Sequence, residues 1–111
     1  MVKELEALIK KLEKAKIPYT VRENPNINYC QVVVCFHNYR LDAVYWAMEA
    51  PFRGSKGSKR GLLEIQGGLT KPELAEDDVV GFLSGKEVAK RFIWCYKHHT
   101  PIYKDKYWRN K

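Results

Sequence analysis

Two β-rich runs, "YCQVVVCF" (residues 29–36) and "YRLDAVYW" (residues 39–46), stand two residues apart, and no other feature restricts the fold of this chain as much. Runs of β-branched and aromatic residues so spaced read as a hairpin closed on His37-Asn38. In that register Phe36 pairs with Tyr39, Val34 with Leu41, Val32 with Ala43 and Cys30 with Tyr45. One face then carries those eight residues and no charge, so it is the expected core face. The other carries Tyr29, Gln31, Val33, Cys35, Arg40, Asp42, Val44 and Trp46. A slip of one residue in either strand would mix the two sets, so the clean sorting itself supports the register.

The remaining elements are placed around this hairpin. Leu5, Leu8, Ile9 and Leu12 follow helical spacing, and Pro18 ends that helix near Lys16. "PYTVRE" reads as a short strand, "NPNIN" as a turn and "GLLEIQ" as a further strand, with Leu63 and Ile65 inward and Glu64 and Gln66 outward. "GGLTKPELAEDD" reads as an acidic connector. Ser84 and Glu87 form a capping box ahead of a second helix, whose apolar face holds Val88, Ala89, Phe92, Cys95 and Tyr96. The expected fold is α+β in two layers: N-terminal helix, about four mainly antiparallel strands, C-terminal helix and basic tail. Residues 1–100 form a single α+β domain, and residues 101–111 form a basic, aromatic C-terminal tail.

Charge then directs the functional reading. The formal charge is +7 but uneven: residues 53–60 contribute +4 without an acid, residues 90–111 contribute +6, and residues 71–87 contribute −3. Clustered positive charge attracts nucleic acid, acidic proteins or anionic lipid, and basic charge alone also aids solubility. No apolar stretch approaches the ~20 residues that span a bilayer. "MVKELEALIKKLEK" lacks the apolar block of a signal peptide. Cys30, Cys35 and Cys95 are odd in number and without CxxC spacing, which fits free thiols in a reducing compartment. A cytoplasmic protein is expected.

The segment "PFRGSKGSKRG" supplies Arg53, Lys56, Lys59 and Arg60. A P-loop needs GxxxxGK[ST] between a strand and a helix, and neither this segment nor "GFLSGKE" has that spacing. Its Gly-Ser-Lys-Gly matches the GXXG of KH domains, but that loop joins two helices and this one joins strands. What remains is a basic loop suited to phosphates without reading sequence. On the second helix, Trp94 lies off the apolar face among Lys90, Arg91, Lys97 and His98, where a base could stack while the cations meet phosphates. A tail folding back to lay Ile102 or Tyr103 over Trp94 is the alternative. Tyr29 and Trp46, cross-strand partners beside the basic loop, are a second stacking pair, or an ordinary aromatic pair of the sheet. The tail adds Lys104, Lys106, Trp108, Arg109 and Lys111.

Two chemical readings are weighed against these. Cys95, His98 and His99 have helical spacing that two of them could use on one ion, yet the chain lacks the spacing of a closed Cys/His site, so no metal and no cofactor is expected. Asp42 and Glu64-Ile65-Gln66 are similar to the PD-(D/E)xK nuclease arrangement, without its Pro-Asp and with Gln for Lys. Two carboxylates on adjacent strands could hold Mg²⁺, but either is more simply a partner for Arg40.

"SGKEVAKRF" at the head of the second helix resembles the double-stranded RNA-binding domain, which implies phosphate contacts at Ser84, Lys86, Ala89 and Lys90; Gly85 replaces one expected Lys. A longer resemblance, over roughly residues 3–93, rests on "KLEKAKIPYTVRE", "LDAVYW", "RGLLEIQGGLT" and "DDVVGFLSGKEVAKRF". These look like a group of small uncharacterised proteins from phages and mobile elements of Gram-positive bacteria. That resemblance implies an accessory role, such as inhibition of a host defence in the manner of an anti-CRISPR. The leading expectation is a non-enzymatic protein that binds nucleic acid or a nucleoprotein complex. A module docking on a protein partner is the alternative, and a metal-dependent nuclease is third.

Overall fold

The computed structural model describes residues 2–24, 26, 29–46, 63–69 and 78–102, with the backbone alone for Trp46, Leu69 and residues 78–82. The elements run α1 (Lys3–Lys14), β1 (Thr20–Asn24), β2 (Tyr29–Phe36), β3 (Tyr39–Trp46), β4 (Leu63–Leu69), β5 (Asp78–Leu83) and α2 (Gly85–His98). Among the described residues five strands form one antiparallel meander in the order β1-β2-β3-β4-β5. The α+β architecture expected from the sequence is thus present, with β5 as an added edge strand. Among the described residues no helix is long and apolar enough to cross a membrane.

The β2–β3 register has Phe36 opposite Tyr39, Val34 opposite Leu41, Val32 opposite Ala43 and Cys30 opposite Tyr45, as the hydrophobic pattern requires. His37, first residue of the turn, takes φ 52°, the positive value that primed hairpin turns demand at this position. Cys30, Val32, Val34, Phe36, Tyr39, Leu41 and Ala43 share one core with Leu63 and Ile65 of β4. The helices cover it with Leu5, Leu8 and Leu12 from α1 and Val88, Ala89, Phe92 and Cys95 from α2. Tyr96, expected on the apolar face of α2, is only half-buried at its margin.

Both helices stop by the same device. At α1, Lys16 N–H donates to Glu13 O (3.0 Å) and Ile17 N–H to Leu12 O (2.9 Å), with Lys16 at φ 60°. At α2, His99 N–H donates to Tyr96 O (3.4 Å) and Thr100 N–H to Cys95 O (3.1 Å), with His99 at φ 50°. These are Schellman closures built on a left-handed residue, a place usually taken by glycine. Pro18 follows the first closure and Pro101 the second. At the head of α2, Ser84 Oγ accepts from Glu87 N–H (3.3 Å), the hydrogen bond expected of the capping box.

Two glycines permit close approach. A side chain at Gly85 would run into the backbone carbonyl of Glu4, so α1 and α2 touch backbone to backbone. Glu4 uses the proximity: its Oε1 accepts from Gly85 N–H at 2.7 Å, placing a carboxylate on the positive end of α2. At Gly67 a Cβ would meet the Tyr39 hydroxyl and come within 2.9 Å of Ile102. β4 runs on through Gly67-Gly68 to Leu69, where the sequence suggests a connector, and the bare Gly67 leaves room for those side chains.

Candidate nucleic-acid interface

The residues nominated by charge and aromaticity fall into three groups. Arg53, Lys56, Lys59 and Arg60, like Lys104, Lys106, Trp108, Arg109 and Lys111, lie outside the described residues. Tyr29 and Trp46 are register partners in the β2–β3 ladder, as expected. Lys90, Arg91, Trp94 and Lys97 lie on α2.

On α2, helical geometry gathers a stripe. At ~100° per residue, Lys86, Lys90, Trp94, Lys97 and His98 project within about one third of the helix circumference. Lys86, Lys90, Lys97 and His98 are exposed, and Arg91 is half-buried beside them. Lys90 Nζ stands 3.8 Å from Glu87 Oε1, an exposed i,i+3 pair that leaves the ammonium open to solvent and to a phosphate. Trp94 is half-buried against the core margin. Its indole stacks on the His98 ring, with centroids 4.3 Å apart and planes 19° from parallel. The His98 Nδ1 is fixed by a 2.8 Å hydrogen bond with Trp94 O. The result is a two-ring ledge flanked by lysines.

Ile102 is one residue the sequence offers as a cover for Trp94. It is fully buried in the main core, and its N–H donates to the Tyr39 hydroxyl at 3.2 Å. Ile102 thus packs beside Tyr39 of β3 and Gly67 of β4. Tyr103, the other residue considered as a cover for Trp94, lies outside the described residues.

The second sheet face differs from an open aromatic platform. Val33 is 5 % exposed, Asp42 2 %, Val44 2 % and Glu64 3 %, so its centre is closed to solvent, and Tyr29 at its margin is half-buried. Desolvation raises the Tyr29 phenol above its ordinary value, with the charge of Asp42 adding to the effect. Arg40 Nε donates to Asp42 Oδ2 at 2.8 Å, the pairing considered from sequence. Buried carboxylates require such partners. Asp42 stands opposite Gln66 in the β3–β4 register and Glu64 opposite Val44, so the two acids are diagonal neighbours on one face. Glu64 Oε1 accepts from Gln66 Nε2 at 3.2 Å, and burial pushes its carboxyl above the usual range. Sequence reasoning places these side chains on the right face but gives no signal of their burial.

Among the described residues no group of three or more His, Cys, Asp or Glu side chains is arranged to hold a metal ion. The Cys95-His98-His99 set in particular is dispersed: Cys95 is buried in the core, His98 lies on Trp94, and His99 turns towards Phe36 and His37. Comparison of the chain with protein-family models, with curated proteins and with solved structures finds no match.

Proposed function

We propose that this protein is a non-enzymatic binding module for nucleic acid, or for a nucleoprotein complex, engaging phosphates chiefly by charge. The α2 stripe carries the reading: three exposed lysines flank a stacked Trp94–His98 pair whose outer imidazole is exposed. Lysines on a helix surface neutralise backbone phosphates without reading sequence. An aromatic ledge between them gives an unpaired base a surface to stack on. The four cations of residues 53–60 and those of residues 104–111 enlarge the same sequence-independent contact.

The test is fluorescence anisotropy of labelled single- and double-stranded DNA and RNA, at ~50 and ~200 mM salt. Binding is expected to weaken steeply with salt, by roughly 0.9 log unit of affinity per log unit of salt for each phosphate neutralised on duplex DNA. Lys90→Glu with Lys97→Glu lowers that slope, as does charge reversal across residues 53–60. Binding that keeps its affinity and salt slope in both variants refutes the proposal. Absence of binding at low salt, with one stoichiometric protein retained after nuclease treatment, replaces it with a protein-docking module in which Trp94 is the anchor.

A further inference from the structure

The hairpin turn and the end of α2, far apart in sequence, bring two histidines together. The rings of His37 and His99 have centroids 4.3 Å apart and planes at 79°. Both residues are exposed. Each sits at positive φ, 52° for His37 and 50° for His99, so the backbone as well as the side chain is set by its turn. His99 is further held by the Phe36 ring, centroid 6.0 Å away and stacked, and by Tyr96 at 6.4 Å, edge-on. Two imidazoles therefore converge at the surface, carried on two closures that are each locked by the fold.

The spacing can be compared with that of a shared ion. With a metal–nitrogen bond of about 2.1 Å and the ring centre ~1.2 Å behind the nitrogen, two imidazoles at ~90–109° on one ion have centroids ~4.7–5.4 Å apart. The observed 4.3 Å is about 0.4 Å short of that range, so binding would require the two rings to turn apart and towards a shared ion. Imidazole suits zinc, copper and nickel rather than magnesium or calcium, which prefer oxygen. We propose that His37 and His99 form an open two-histidine site for a divalent late-transition-metal ion, with water in the remaining positions. This is distinct from the Cys95-His98-His99 arrangement, and it does not depend on the nucleic-acid reading.

The test is calorimetric titration of the whole protein with Ni²⁺ alone, checked against Zn²⁺. The variants are His37→Gly and His99→Gly, because glycine accepts positive φ and keeps both closures intact; His37→Asn and His99→Asn repeat the test with a side chain retained. Wild type is expected to bind one equivalent. Each histidine variant should weaken binding tenfold or more, while His98→Ala and Cys35→Ser stay within twofold of wild type. Far-UV circular dichroism establishes that the variants are folded. A wild-type protein that takes up no ion, or a folded His37 or His99 variant that binds with less than a tenfold loss, overturns the proposal.

Discussion

Replacing Gly85 with alanine gives a sharp test of how the two helices meet. In an ordinary helix this exchange is stabilising, by up to about 1 kcal/mol. Here the added methyl group would enter the space of the Glu4 carbonyl, and that obstacle is backbone rather than a flexible side chain. Either α1 moves away from α2 or the first turn of α2 distorts. Overpacking of this kind costs about 1–3 kcal/mol. Separation also lengthens the 2.7 Å hydrogen bond from Gly85 N–H to Glu4 Oε1, a bond to a charged group and so worth about 1.5–3 kcal/mol. Glu4 is only half-buried, so the lower figure applies. The net expectation is a loss of about 1.5–3.5 kcal/mol after the helical preference of alanine is subtracted, a large part of the ~5–15 kcal/mol typical of a domain. Urea unfolding followed by far-UV circular dichroism should show the midpoint falling by roughly 1–2 M. Ser84→Ala, one residue earlier, removes only the cap and should cost about 1 kcal/mol. A Gly85→Ala protein as stable as wild type, or more stable, would refute the backbone-to-backbone contact.

Two further outcomes follow from burial. The Glu64 carboxyl is raised by desolvation, so the folded protein holds that proton more tightly than the unfolded chain. The penalty is therefore absent below the ordinary glutamate range and grows as pH rises through the raised folded value. Glu64→Gln should stabilise the protein at neutral pH, with the gain vanishing near pH ~4; a gain independent of pH, measured by urea unfolding, argues against a desolvated carboxylate. Of the three thiols, Cys35 is exposed whereas Cys30 and Cys95 are buried, and burial raises the Cys30 thiol further above its ordinary value. Ellman's reagent should modify one cysteine quickly in the native state and all three only after denaturation, with Cys35→Ser abolishing the fast phase.

What the sequence made legible, and what it did not, divides along a physical line. The β2–β3 register and the inward face of α2 were readable because period-two and period-3.6 patterns each admit one orientation towards a core. The Ser84 cap was readable because it is local. β5 was not: Gly81 interrupts a short apolar run, acids precede it, and a returning edge strand is fixed by its partner β4 rather than by its own composition. That pairing is itself irregular between Glu64 and Gln66. The closed second face was invisible for a similar reason. Val33 and Val44 occupy a face that Arg40, Asp42, Glu64 and Gln66 mark as polar, and burial of those acids is a tertiary fact. Within the candidate interface, the lysine stripe of α2 was legible by helical spacing, whereas the stacking of His98 on Trp94 was one of several rotamers the spacing allows. Contacts such as Glu4 with Gly85, 81 residues apart, leave no local trace at all.

The packing of α1 on α2 also sets a timetable. α1 leaves the ribosome first and α2 follows all five strands, yet the two cover a single apolar sheet face together. Until α2 emerges, the carboxylate of Glu4 lacks the amide it binds, and the Val32, Val34 and Ile65 surface is only partly roofed. Strand pairing can proceed hairpin by hairpin as each neighbour appears, but closure of the hydrophobic layer awaits the last helix. Such a domain finishes folding only after synthesis of α2, and the interval before it is when the half-covered sheet is most exposed to aggregation.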